Sequence, residues 1–337
     1  MEKPERELTD MPNHIKQMIT NLATTDMATK LSLGLVSHEF RDYVEGSTNY
    51  SSVFIDFFSD KVMVDLSVTF EKPRWSEYSK RIEFHPHENG CMKKNTTSNW
   101  EQFIPEMDYK KAAIHYTLAA LGRLVTTDCF YIGMTNEAPR IVEDRSFILD
   151  EMEQFLKELG RKLNVKRLVC SLLPTDAQIL QLFSFFKPGK VSEIDFKGSY
   201  PANPHPPLNL NLISETEHWK QAKTLKISGY DISKSFEKLT DFEEVEIDTR
   251  ALPVASKTIV ETFMTHPTMK SLIVQCNDDI ELTGVDEYLD QFGGEEFHGY
   301  RGVVLQRFFE LNTEIELAFR TNRMHLARYP TNPNQPQ

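Results

Sequence analysis

Apolar residues recur along the chain with two different periods. From Pro12 onward Ile15, Met18, Ile19 and Leu22 fall at i, i+3, i+4 and i+7, the stripe of a one-faced helix. Pro12 suits a helix start because its fixed φ is already helical and its missing N–H is not needed there. Thr24, Thr25 and Asp26 break the stripe and offer an N-cap. Leu31, Leu35, Val36, Phe40 and Val44 then carry a further helix. Beyond it the period drops to two: Val62, Val64, Leu66, Val68 and Phe70 predict a half-buried strand. A short strand is expected at Arg81 to Phe84, and Asn89-Gly90 is a hairpin signal within a polar turn from His85 to Asn99. Helices are expected over Tyr109 to Val125 and along Ile148, Met152, Phe155 and Leu159. Between them lies a strand at Asp128 to Met134.

After Gly160 one pattern, apolar-x-x-apolar-x-apolar, occurs five times. It is carried by Val165/Leu168/Cys170, Val191/Ile194/Phe196, Ala222/Leu225/Ile227, Phe242/Val245/Ile247 and Met269/Leu272/Val274. The middle positions lie 26, 31, 20 and 27 residues apart. Leucine-rich repeats have periods of ~20–29 residues. Helical segments at Thr175 to Phe186 and Ser256 to His266 fall between these strands. The reading is a strand–helix solenoid with a parallel sheet, its five strands adjacent and in chain order. Pro330 to Gln337 is rich in Pro, Asn and Gln and reads as a disordered tail.

Composition narrows the function. The 337 residues carry 40% hydrophobic and 26% charged residues and a net charge of −12. That sign disfavours a phosphate-backbone binder, so no nucleic-acid partner is expected. The charged N-terminus does not read as a signal peptide, and no stretch has the apolar length of a membrane span. Cys91, Cys129, Cys170 and Cys276 form no CxxC pair, as expected of reduced thiols in cytosol or nucleus. His85, His87 and Cys91 form HxHxxxC, but no fourth metal ligand is evident. Nucleotide, zinc-protease and hydrolase motifs are missing, so no catalytic, cofactor-binding or metal site is assigned. The acidic run Asp241, Glu243, Glu244, Glu246 and Asp248 alternates along a strand. It is either a solvated face or a surface for a basic partner, with Glu244 and Glu246 as the candidate target-binding residues.

The first stretch, LTDMPNHIKQMITNLATTDMATKLSLGLVSHEFRDYV, resembles an F-box through Leu8, Met11-Pro12, Ile15, Ile19, Leu22, Asp26, Leu31, Val36-Ser37, Phe40-Arg41 and Val44. The phrases NVKRLVCSLL, LFSFFKPGKVSEIDF, EHWKQAKTLKIS and KLTDFEEVEID are similar to the repeat unit of nematode F-box proteins with an FTH (FOG-type homology) domain. IEFHPHENGC and DYKKAAIHYTLAAL agree with the middle of that family, and residues beyond Phe292 match no part of it. The resemblance implies an α/β chain in four parts. They are a three-helix F-box at 5–46, an α+β middle segment at 47–145, a leucine-rich-repeat-like FTH domain at 146–320 and a disordered tail at 321–337. It further implies a substrate receptor without catalytic residues. Leu8, Met11, Pro12, Ile15, Leu22 and Leu31 would dock a Skp-type adaptor, and through it a cullin–RING ubiquitin ligase, while the repeat domain binds an unknown target protein. The alternatives are an interaction scaffold working without ubiquitin transfer, and an enzyme with a novel site.

Overall fold

The computed structural model describes residues 51–69, 77–96, 99–123, 127–134, 141–171, 175–198, 207–249, 252–276, 295–299, 303–310, 313–320 and 322–330. The F-box-like stretch, with all six expected adaptor-binding residues, lies outside them.

Strand β1 (Ser52–Phe57) is the pivot of the fold. From it the chain runs outward as an antiparallel meander: β2 (Val62–Thr69), β3 (Glu77–His87), β4 (Gly90–Asn95) and β5 (Trp100–Pro105). Helix α1 (Tyr109–Arg123) carries the chain back to β6 (Thr127–Met134), which pairs parallel to the other side of β1. Five more parallel strands follow: β7 (Val165–Ser171), β8 (Glu193–Lys197), β9 (Thr224–Ser228), β10 (Glu244–Thr249) and β11 (Ser271–Cys276). Their connections contain α2 (Ile141–Leu159), α3 (Asp176–Ser184), the short α4 (Glu217–Gln221), a 3₁₀ turn (Phe236–Asp241) and α5 (Ser256–Thr265). A second antiparallel meander closes the far end: β12 (Glu295–Gly299), β13 (Val303–Glu310), β14 (Thr313–Arg320) and β15 (Arg323–Pro330), with β15 against β11. Among the described residues all fifteen strands form one sheet.

Parallel strands laid down successively in one direction, each with a right-handed crossover, place every connection on the same side of the sheet. The strand burial follows, with alternate residues interior and half-exposed on β1, β9 and β10. The middle residues of the five sequence patterns pair directly across the ladder: Leu168 with Ile194, Ile194 with Leu225, Leu225 with Val245, and Val245 with Leu272. The row continues through Phe130 and Val53 on one side and Leu326 and Leu317 on the other, all buried in one core. The expectation of five adjacent strands in chain order is met.

The expected architecture is not. Where an α+β middle segment and a repeat solenoid were expected to follow the three-helix module, the described chain, which begins after that module, is dominated by one large mixed sheet with few helices. The leucine-rich-repeat reading fails because the common pattern marks strands and not repeats. The connections differ, from a nine-residue helix at α3 to a five-residue helix at α4 and a 3₁₀ turn. The sheet also runs without a break across residue 146, since β6 and β7 pair. Residues 295–320 form antiparallel strands where repeats were expected, and Arg323–Pro330 is a strand inside the segment read as tail.

Helices α1 and α2 are clamped by a small polar cluster. Glu151 Oε1 on α2 lies 2.7 Å from His115 Nε2 and 2.9 Å from Lys111 Nζ, both on α1. Burial pushes the Glu151 carboxyl up, but the hydrogen bonds from Lys111 and His115 outweigh it and leave it below the ordinary glutamate range. A carboxylate held low in the fold adds stability above its unfolded pKa, and that contribution disappears as pH falls through the folded value. Glu151→Gln should therefore be less stable than the parent chain at neutral pH and should converge with it in acid, as read by urea unfolding at both pH values.

Candidate docking face

One face of the sheet is covered by the helices. The other presents alternate residues of every strand, and the register sets their side chains in rows. Glu193, Thr224, Glu244 and Ser271 form one row. Asp195, Lys226, Glu246, Ile273 and His325 form the next, and Lys197, Ser228, Asp248, Gln275 and Arg323 a third. Strand spacing is about 4.8 Å, within reach of long charged side chains across strands.

The charges on this face are paired. Lys226 Nζ lies 3.2 Å from Glu246 and 4.0 Å from Glu193. Arg167 is 3.1 Å from Glu193 and from Asp195, and Lys197 is 3.7 Å from Asp195. Glu243 stands between Lys223 and Lys270, and hydrogen bonds from both, that from Lys270 foremost, hold its carboxyl below the usual range. The acidic run of the sequence is thus interleaved with Lys226 of β9 and with Lys223 and Lys270 at the entrances to β9 and β11. The face is a mosaic of both signs, not an acidic strip. The two candidate target-binding residues are the outward members of this mosaic: Glu244 is exposed and accepts from Thr224 Oγ1 at 3.3 Å, and the Glu246 side chain is 47% exposed.

Toward β1 the face becomes less polar. Phe54 and Tyr131 pack with ring centroids 5.5 Å apart and planes tilted by 35°, and Val169 is buried beside them. Burial pushes the Tyr131 hydroxyl up, with neighbouring Asp56 adding to it, and burial also raises Asp56 itself. Sequence reading missed this patch, because Phe54 and Asp56 sit on a strand that its periodicity did not single out. At the other end a depression of about 230 Å³ is lined by Glu316, Ala318, Arg323 and His325. It lies in the region where the sequence resembles nothing else.

HxHxxxC does not converge. His85 is hydrogen-bonded to Glu83 at 3.0 Å, His87 stands edge-on to Phe103, and Cys91 points into the core. Among the described residues no group of three His, Cys, Asp or Glu side chains is placed to hold a metal ion, and no helix is long and apolar enough to cross a membrane. Chemically, the face can offer fixed rows of donors, acceptors and charges to another macromolecule.

Because Glu244 and Glu246 contact only solvent-side neighbours, reversing both charges should leave the fold intact. Glu244→Lys with Glu246→Lys should move stability by about ±0.5 kcal/mol, the usual range for surface changes. A drop of several degrees in melting temperature would instead mark the pair as structural.

Residues 147–287 match the family model of the FTH domain. They span α2 to β11 and the chain just beyond, the parallel half of the sheet with its charged face. Comparison with curated proteins and with solved structures finds no match.

Proposed function

We propose that, with an FTH domain at 147–287, this chain is the substrate-receptor subunit of a Skp–cullin–F-box ubiquitin ligase. The FTH match carries the reading, because that family is linked to F-box proteins and the stretch upstream has the F-box residue pattern. In this reading Leu8, Met11, Pro12, Ile15, Leu22 and Leu31 anchor the Skp-type adaptor. The open sheet face binds the target protein, with Glu244 and Glu246 in contact. No residue of the chain does chemistry, and the complex works in cytoplasm or nucleus without nucleic acid or membrane.

An amphipathic helix docks through apolar anchors at helical spacing, each worth roughly 1.5–3 kcal/mol when fully buried. Leu8→Ala combined with Pro12→Ala should therefore cut adaptor co-purification by more than about tenfold, while circular dichroism and melting of the sheet stay unchanged. Adaptor binding that survives the double substitution, or that the parent chain never shows, defeats the proposal. Ubiquitin transfer to a protein captured by the sheet face then separates a ligase receptor from a scaffold.

A further inference from the structure

Among the described residues β5 is a terminal strand of the sheet, with β4 on one side and no strand on the other. Open edges of this kind are templates for pairing, which proteins usually blunt with charge, proline or a bulge. Here two of the six residues are large, apolar and outward-lying: Trp100 is 43% exposed and Phe103 41%.

The direction of each backbone group follows from the ladder. Glu106 N donates to Asn89 O at 2.9 Å, so that pair is a hydrogen-bonded one. Hydrogen-bonded and non-hydrogen-bonded pairs alternate in an antiparallel ladder. Ile104, Gln102 and Trp100 therefore bond to β4, in register with Cys91, Lys93 and Asn95. Glu101 and Phe103 aim both N–H and C=O away from it. Pro105, third in the outward set, has no N–H to offer.

We propose that β5 pairs antiparallel with β5 of a second copy of this chain, about a two-fold axis through Gln102, joining two sheets into one. Three registers use the outward groups on both copies. Centring on Glu101 sets like charges opposite, and centring on Phe103 sets Glu101 against Pro105, which lacks a donor. Centring on Gln102 sets Glu101 opposite Phe103 twice, with every donor and acceptor of the four residues used. On the helix side it sets Trp100 opposite Ile104. Lys93 already lies 5.4 Å from the Trp100 ring and 4.3 Å from Tyr116 of α1, so the tryptophan stands at the border of the core. The partner's Ile104 would extend that apolar strip. A contact of one strand pair is small beside the roughly 800 Å² per partner of a standard interface, so the dimer is a concentration-dependent one.

Sedimentation velocity of the full chain over a wide concentration range should show monomer passing to dimer. Phe103→Pro removes an outward N–H from each copy without touching the β4 ladder, and should weaken association by about tenfold or more with an unchanged circular dichroism spectrum. Residue 102 faces its own twin across a non-hydrogen-bonded pair, where Cα atoms lie about 4.5 Å apart, within disulfide range. Gln102→Cys should give a reducible covalent dimer in air, and Glu101→Cys should give none above the parent chain. A parent chain that stays monomeric would leave this edge to an extended segment of another polypeptide and overturn the proposal. So would association that survives Phe103→Pro, or cross-linking of residue 101 equal to that of residue 102.

Discussion

Trp219→Ala should destabilise the chain by about 3–5 kcal/mol, the range for removing a large aromatic side chain from a packed core. Trp219 is fully buried on α4, a helix of only five residues. Such a helix has little stability of its own, since nucleation uses most of its length. It is held by Thr216 at its N-cap and by the indole. The ring meets Phe242 edge-on at 4.7 Å, and Nε1 donates to Lys238 O at 3.3 Å. One side chain thus ties the β8–β9 connection to the β9–β10 connection. Alanine would leave a cavity and an unused carbonyl together. Phenylalanine should recover most of the packing and none of the hydrogen bond, so it should fall between the two in urea unfolding.

Arg328→Met should cost about 2–4 kcal/mol, because it strips charge-assisted hydrogen bonds from carbonyls that have few other partners. The guanidinium reaches from β15 to the C-terminal end of α5. It donates to Phe263 O and Met269 O at 2.6 Å and to Met264 O and His266 O at 3.1 Å, with its Cζ 4.2 Å from the Phe263 ring centroid. The last carbonyls of a helix lack intrahelical N–H donors and carry its negative pole. A cation there is doubly favoured. Lysine keeps the charge but not the planar fork, so Arg328→Lys should recover only part of the loss. Thermal melting of the three proteins orders them.

The parallel half of the fold was legible in the sequence because both period and spacing spoke there. Leu168, Ile194, Leu225, Val245 and Leu272 mark five strands and are neighbours in one ladder. The hairpin signal at Asn89-Gly90 and the helices at Tyr109–Arg123 and Ser256–Thr265 were legible for the same reason. The polar turn read from His85 to Asn99 is instead mostly strand, with β3 running to His87 and β4 over Gly90–Asn95; polar residues alternating on an outer sheet face look like a loop. What sequence could not supply was the identity of the partner strands. β1 pairs in one direction with its next neighbour and in the other with a strand 77 residues on, and no local pattern encodes the second pairing. Treating variable crossovers as a repeat then followed from matching strands alone. The C-terminal meander had its own signal, Ile315, Leu317 and Phe319 against Met324 and Leu326, at period two. It was overlooked because it lies past the last residue that resembled anything.

The candidate face was half legible. Alternation placed Glu244 and Glu246 on the outer side of a strand, where they are. Lys226 on β9, which pairs with Glu246, and Lys270 at the entrance to β11, which pairs with Glu243, lie 20 residues or more from their partners in sequence. Charge runs show the sign of one strand, whereas a sheet face is the sum over its neighbours.

Strand β15 follows β12, β13 and β14 in the chain yet lies between β14 and β11 in the sheet. During synthesis the parallel strands can be added one at a time, each to the rim left by its predecessor. The rim left by β11 has no such successor until residues 323–330 have been made. Through that interval a growing polypeptide carries an unsealed parallel array, the kind of intermediate that aggregates or recruits chaperones. A stop codon ahead of Arg323 would hold the chain in that condition permanently, so early termination there should yield protein cleared by proteolysis, not a shortened but folded chain.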